Sequence, residues 1–192
     1  MRQVSATVAS TIVEGFSVTH AAILDGTTGA ELTDGNIYGV RTASLAANTG
    51  NYDNTGDDTI LSAWFWIDHA QLTVEGGYVP FKTIAMLSGS SVVSSGSAPN
   101  DTYSMPLWNK SANNQPPKPV LIKVPAKDKD GVIREIDFVL YKVIFAPFSF
   151  TGPAYKAGLL LSYTGRAVFS SVDETGASLS EPAIGRIINK PA

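Results

Sequence analysis

The stretch Trp64–Gly89, WFWIDHAQLTVEGGYVPFKTIAMLSG, decides how this chain folds. From His69 onward it alternates. Ala70, Leu72 and Val74 point one way, and His69, Gln71, Thr73 and Glu75 point the other. That is the period of a strand with one buried and one wet face. Gly76-Gly77 supplies the backbone freedom for a strand-to-helix turn. A short helix then spans about Pro80 to Ser88. Pro80 fits a first helical position and Gly89 a left-handed C-terminal cap. Phe81, Ile84 and Ala85 fall on one helical face, which the spacing predicts to be the buried one.

Outward from this stretch, the rest of the chain reads as strands and turns. Gly15 to Leu24, Asn36 to Arg41, Leu121 to Val124, Ile133 to Phe148, Leu159 to Ser170 and Ala183 to Asn189 have strand character. Asp25-Gly26-Thr27-Thr28-Gly29 is a turn, and Asp130-Gly131 is the tight point of a hairpin. Two segments rich in Asn, Gly, Ser and Pro, at about 42–58 and 88–119, read as long loops. Neither an internal repeat nor a separating linker is visible, which predicts one domain over residues 1–192. The expected fold is mainly β: a two-sheet antiparallel β-sandwich or half-barrel flanked by one short helix.

Composition narrows the function. Charged residues make up 16% of the chain, against roughly a quarter in ordinary domains. Burial against copies of itself is one way for such a protein to limit apolar exposure. Acids outnumber bases 17 to 14, with no basic stripe to grip nucleic acid. There is no cysteine, which excludes disulfides and thiolate metal sites. No apolar run is long enough for a membrane-spanning helix.

No chemistry-bearing motif stands out. His69 follows Asp68, but neighbouring strand residues are expected to face opposite sides, so Asp68 would not orient His69. Asp128 and Asp130 before Gly131 imitate a calcium loop, yet its first ligand position falls on Ala126. Neither a catalytic set, nor a metal site, nor a cofactor is expected. Trp64, Phe65 and Trp66 are consecutive, so large aromatics occupy both faces of one strand. That requires two packed layers, or one layer and an interface.

Longer segments carry a resemblance. These are WFWIDHAQLTVEGGYVPF (64–81), SSGSAPNDTYSMPLWNKSANNQPPKPVLIKVPAKDKDG (94–131) and DFVLYKVIFAPFSFTGPAYKAGLLLSYTGRA (137–167), with DETG at 173–176 and AIGRII at 183–188. Together they resemble the major tail protein, or tail tube subunit, of long-tailed phages that infect actinobacteria. The first 60 residues match less well.

The resemblance implies a structural virion protein, not an enzyme, made in the host cytoplasm and built into the phage tail. Its copies would form stacked hexameric rings with a continuous β-lined lumen. The lumen would hold the tape measure protein and later conduct DNA without binding it tightly. The tail terminator and distal tail proteins would be further partners. Under this reading Gln71, Thr73, Glu75, Ser162, Thr164 and Arg166 face the lumen, Arg166 beside an acid. Asn48, Asn51, Asp53, Asn54, Asp57 and Asp58 belong to a ring-stacking loop, and Trp64, Trp66, Tyr103 and Trp108 sit at subunit interfaces. The rival expectation is a carbohydrate- or surface-binding β-sandwich virion protein, receptor-binding or decorating, that uses Tyr103 and Trp108.

Overall fold

The computed structural model describes residues 13–15, 18–56, 59–97, 100–106, 116–128, 130–146, 149–151 and 160–191. Its longest feature is a hairpin of β3 (Glu31–Gly56) and β4 (Thr59–Tyr78). Before it come β1 (Val13–Gly15) and β2 (His20–Leu24), and after it α1 (Phe81–Ser88). A small two-stranded sheet follows, β5 (Val93–Ser95) with β6 (Thr102–Ser104). Then come β7 (Lys118–Asp128), β8 (Ile133–Phe145), β9 (Ser149–Thr151) and β10 (Leu160–Ala167). The chain ends in β11 (Ser170–Val172), β12 (Ser178–Ala183) and β13 (Gly185–Pro191). The fold is mainly β with one helix, as the alternation predicts.

All the strand pairings are antiparallel. The main sheet runs β7-β2-β3-β4-β10-β8, and β8 also pairs with β7, so the sheet curls back onto itself. The two halves of this curled sheet enclose one core. Ile23, Ile37, Leu72, Val74, Ile122, Leu140, Val143 and Tyr163 are buried within it, and Leu87 of α1 joins them. A second cluster lies on the outer side. There Leu24, Leu121, Val139 and Tyr141 are covered by Leu179, Ala183 and Ile188 of the C-terminal strands. Two ion pairs fasten this cover. Lys190 on β13 meets the buried Asp137 on β8, and Arg186 meets Glu174.

The segment expected to be a loop at about 42–58 is instead strand through Gly56. Its register runs from Tyr38↔Tyr78 to Gly56↔Thr59. Turn-forming residues are poor strand formers, but here the β4 backbone supplies a partner for every rung, and the exposed faces ask little of the side chains. Gly50 has a positive role: a Cβ there would lie 2.3 Å from the Trp66 ring, so only glycine lets the indole cross the strand. The segment at about 88–119 is less uniform than the expected loop, since β5, β6 and the start of β7 fall inside it.

The helix has the expected C-terminal cap, Gly89 at φ 63. Its other end differs from expectation. Pro80 is the N-cap, with extended backbone, and Phe81 is 39% exposed. The buried face carries Thr83, Ala85, Leu87 and Ser88, with Ile84 partly buried. Thr83 explains the rotation. Its hydroxyl donates to the Asp34 carbonyl at 2.6 Å and tethers α1 to β3. Turns hold as expected. Asp25 accepts the backbone N–H groups of Thr27 and Thr28, which keep its carboxyl below the ordinary range. β7 and β8 pair as the expected hairpin, with Lys127 opposite Ile133. The strand expected to run to Ser170 ends at Ala167, and Phe169 beyond it is exposed.

Glu31 ties three strands together on the outer surface. It lies 2.9 Å from His20 Nε2 on β2 and 3.1 Å from Lys123 Nζ on β7. Burial raises its carboxyl, but the hydrogen bonds and charges of Lys123 and His20 outweigh this and leave it below the ordinary 4.5.

Two outcomes follow from this packing. Leu72→Ala removes a fully buried side chain at the centre of the core. It should cost about 2–5 kcal/mol, read as a lower urea midpoint with unchanged slope. The lowered Glu31 carboxyl contributes stability that is present above pH 4.5 and lost as pH falls through its folded-state value. Glu31→Gln should therefore lose less stability than the parent on acidification below pH 4.5. Parallel acid limbs in urea midpoint against pH would contradict this.

Candidate functional site

Because Leu72 and Val74 enter the core, Gln71, Thr73 and Glu75 must face outward. β10 pairs with β4 so that Ser162 lies opposite Glu75, Thr164 opposite Thr73 and Arg166 opposite Gln71. All the residues expected to share a wet face are thus brought together on one. β3 extends the rows on the other side, with Thr42 opposite Glu75, Ser44 opposite Thr73 and Ala46 opposite Gln71. The Thr42 hydroxyl donates to Glu75 at 3.2 Å. β9 adds Ser149 beside Ser162, and β8 adds Ile144 beside Arg166. The result is a hydroxyl-rich face across four neighbouring strands, backed by the core.

The expected acid beside Arg166 is not found. Its direct neighbours are Gln71 and Ile144, and among the described residues it takes part in no ion pair. Arg166 lines an open pocket of about 320 Å³ with Asn48, His69, Gln71, Ile144 and Thr164.

His69 corrects another expectation. The ladder steps from Asn48↔His69 to Thr49↔Ile67, which leaves Asp68 as an extra residue in a bulge. The bulge breaks the alternation, so Asp68 Oδ2 reaches His69 Nδ1 at 3.0 Å. A carboxylate only accepts, so Nδ1 carries the proton and Nε2 accepts from Asn48 Nδ2 at 3.4 Å. The imidazole is held from both sides and is only 8% exposed. Asp68 therefore does orient His69, and among the described residues no hydroxyl is hydrogen-bonded to this ring.

The hairpin continues beyond this face. β3 pairs with β2 only between Glu31 and Ile37, and β4 pairs with β10 only between Ala70 and Gly76. Among the described residues, those past both points pair only with each other. Asn48 and Asn51 are exposed there, and Trp66 is 52% exposed. The side chains of Asp53, Asn54 and Trp64, and residues Asp57, Asp58 and Trp108 altogether, lie outside the described residues. Tyr103 is 49% exposed on β6, and its hydroxyl donates to Asp101 at 2.7 Å. On the inner face of the hairpin base, Leu45, Ile67, Phe138, Ile184 and Ile187 line an apolar groove of about 370 Å³.

Sequence reading missed the β3 contribution, although Thr42, Ser44 and Asn48 alternate with Ala43, Leu45 and Ala47. That period was visible, but the following Asn and Gly residues outweighed it. The bulge at Asp68 has no sequence signal.

No protein-family model matches the chain, and no curated protein matches it either.

The hydrogen-bond order at His69 is directly measurable. Nitrogen chemical shifts at neutral pH should report the Nδ1–H form, and Asp68→Ala should shift the ring toward the Nε2–H form. A predominantly Nε2–H ring in the parent protein would contradict the arrangement.

Proposed function

We propose that this chain is the tail tube subunit of a long-tailed phage, a structural and non-catalytic virion protein. The observation that carries the reading is the hydroxyl-rich face. Gln71, Thr73, Glu75, Ser162, Thr164 and Arg166 share one face in register, with the core behind them. Such a face suits the wall of a water-filled channel. The rows of neutral hydroxyls offer a passing polymer many weak contacts and few strong ones.

The projecting hairpin supports the same reading. Among the described residues its outer strand edges pair with no further strand, and such edges template association. Pairing with neighbouring copies would satisfy them and close a continuous sheet around the channel. Hexameric rings and their stacking through the hairpin follow from the sequence resemblance. In this reading the tape measure protein fills the channel, tail terminator and distal tail proteins meet its ends, and DNA passes in transit. Glu75 and Arg166 give the wall mixed charge, which does not retain a polyanion.

Negative-stain microscopy of concentrated protein tests the proposal: stacked rings or tubes are expected. A second variant assigns the role of the hairpin. Thr49 and Ile67 are directly opposite, so Gly50–Trp66 can be replaced by an Asn-Gly turn. Of the replaced residues whose side chains are described, Gly50, Asn51 and Trp66, none belongs to the main core cluster. The shortened chain should fold cooperatively and form no tubes. Normal tubes from it would exclude a stacking role for the hairpin. Monomers at all concentrations of the full chain, together with glycan binding, would favour the carbohydrate-binding alternative and overturn the tube.

A further inference from the structure

Arg166 is a cation on the polar face with no acid opposite it. Its cross-strand neighbours are neutral, Gln71 on one side and Ile144 on the other. Among the described residues, the two acids of β4 that flank this part of the ladder are engaged elsewhere. Glu75 lies two same-face rungs away and accepts from Thr42, and Asp68 accepts from His69. A guanidinium lining a pocket of about 320 Å³ beside two side-chain amides, Asn48 and Gln71, is arranged to receive an oxyanion.

We propose that this pocket binds one carboxylate, carried by an acidic side chain of a protein segment with an apolar residue next to it. The planar guanidinium fork matches a single carboxylate, and the amides can donate to its remaining lone pairs. Ile144, 44% exposed at the pocket wall, offers contact to the apolar neighbour. A nucleic-acid backbone is a poorer match. One cation per subunit displaces few counterions. Asp68, 74% exposed and bonded to the lining residue His69, and Glu75, two rungs along the same face, add negative charge that disfavours a chain of phosphates.

Binding needs only the folded chain. That the segment belongs to a protein occupying the channel rests on the tube reading above.

Saturation-transfer difference spectra of the ligand report binding to free subunits and to assembled particles alike. The probes are N-acetyl-Leu-Glu-Leu-amide, the same peptide with Gln for Glu, and a short DNA duplex. The Glu peptide should bind saturably. The Gln peptide should bind about tenfold more weakly or worse, and Arg166→Gln should weaken the Glu peptide by a similar factor. Arg166→Lys, which keeps the charge but not the fork, should fall between. Thermal melting checks that each variant is folded. Should Arg166→Gln not fold, the Glu and Gln peptides on the parent chain decide the matter.

Equal binding of the two peptides, or no saturable signal from the Glu peptide, would overturn the proposal. So would undiminished binding by folded Arg166→Gln. Tighter, Arg166-dependent binding of the duplex would overturn it in favour of a phosphate contact. Tube formation is scored separately by microscopy. A positive titration without tubes sinks the tube and leaves the pocket, and tubes without a titration do the reverse.

Discussion

The pairing of β3 with β4 is the constraint on which the rest of this structure depends. It runs from Tyr38↔Tyr78 to Gly56↔Thr59 and sets which side chains are dry and which are wet on both strands. A slip of one residue would turn Leu72 and Val74 to solvent and Glu75 into the core. With Leu72 and Val74 fixed inward, β10 has one register that buries Tyr163 and Leu161 against them. That register aligns Ser162, Thr164 and Arg166 with the wet residues of β4. The polar face is therefore a consequence of core packing, and its chemistry is what the outward positions happen to carry.

Much of this was legible before any coordinates. The alternation from His69 to Glu75 names both the core and the wet positions of β4, and Leu161, Tyr163, Thr164 and Arg166 do the same for β10. The helix was legible from Pro80 and Gly89. Its rotation was not, because Thr83 is buried through a hydrogen bond to the Asp34 carbonyl, a tertiary partner that spacing along the helix cannot reveal. The strand through residues 42–56 was misjudged for a related reason. Asn48, Gly50, Asn51, Asp53 and Asn54 favour turns locally, and only pairing with β4 overrides that preference.

The candidate site was legible in part, and the division is physical. Residues on a regular ladder share the face that alternation gives them, because period two is reliable there. Asp68 and His69 were placed wrongly because a bulge adds a residue and rotates one side chain past its neighbour. Alternation expects those two side chains on opposite faces, whereas the structure joins them at 3.0 Å. Arg166 was placed on the right face but given the wrong company. The sequence offers acids in plenty, and which of them lies within reach depends on the rung, where Gln71 and Ile144 stand.

The same ladder leaves a strain that one chain does not resolve. The hairpin extends past both neighbours, since β2 stops pairing at Ile37 and β10 at Ala70. Exposed backbone groups there can be satisfied by water, but Trp66 and Ile67 are 52% and 47% exposed on the same arm. Water satisfies the edges and does nothing for that apolar surface. A neighbouring polypeptide satisfies both at once, by adding a strand to the edge and covering the side chains beside it. The body of the molecule closes more of its own sheet, because it curls until β8 meets β7 and part of its second face is covered by the C-terminal strands. The hairpin is therefore a surface on which association with another polypeptide would satisfy edge and side chains together.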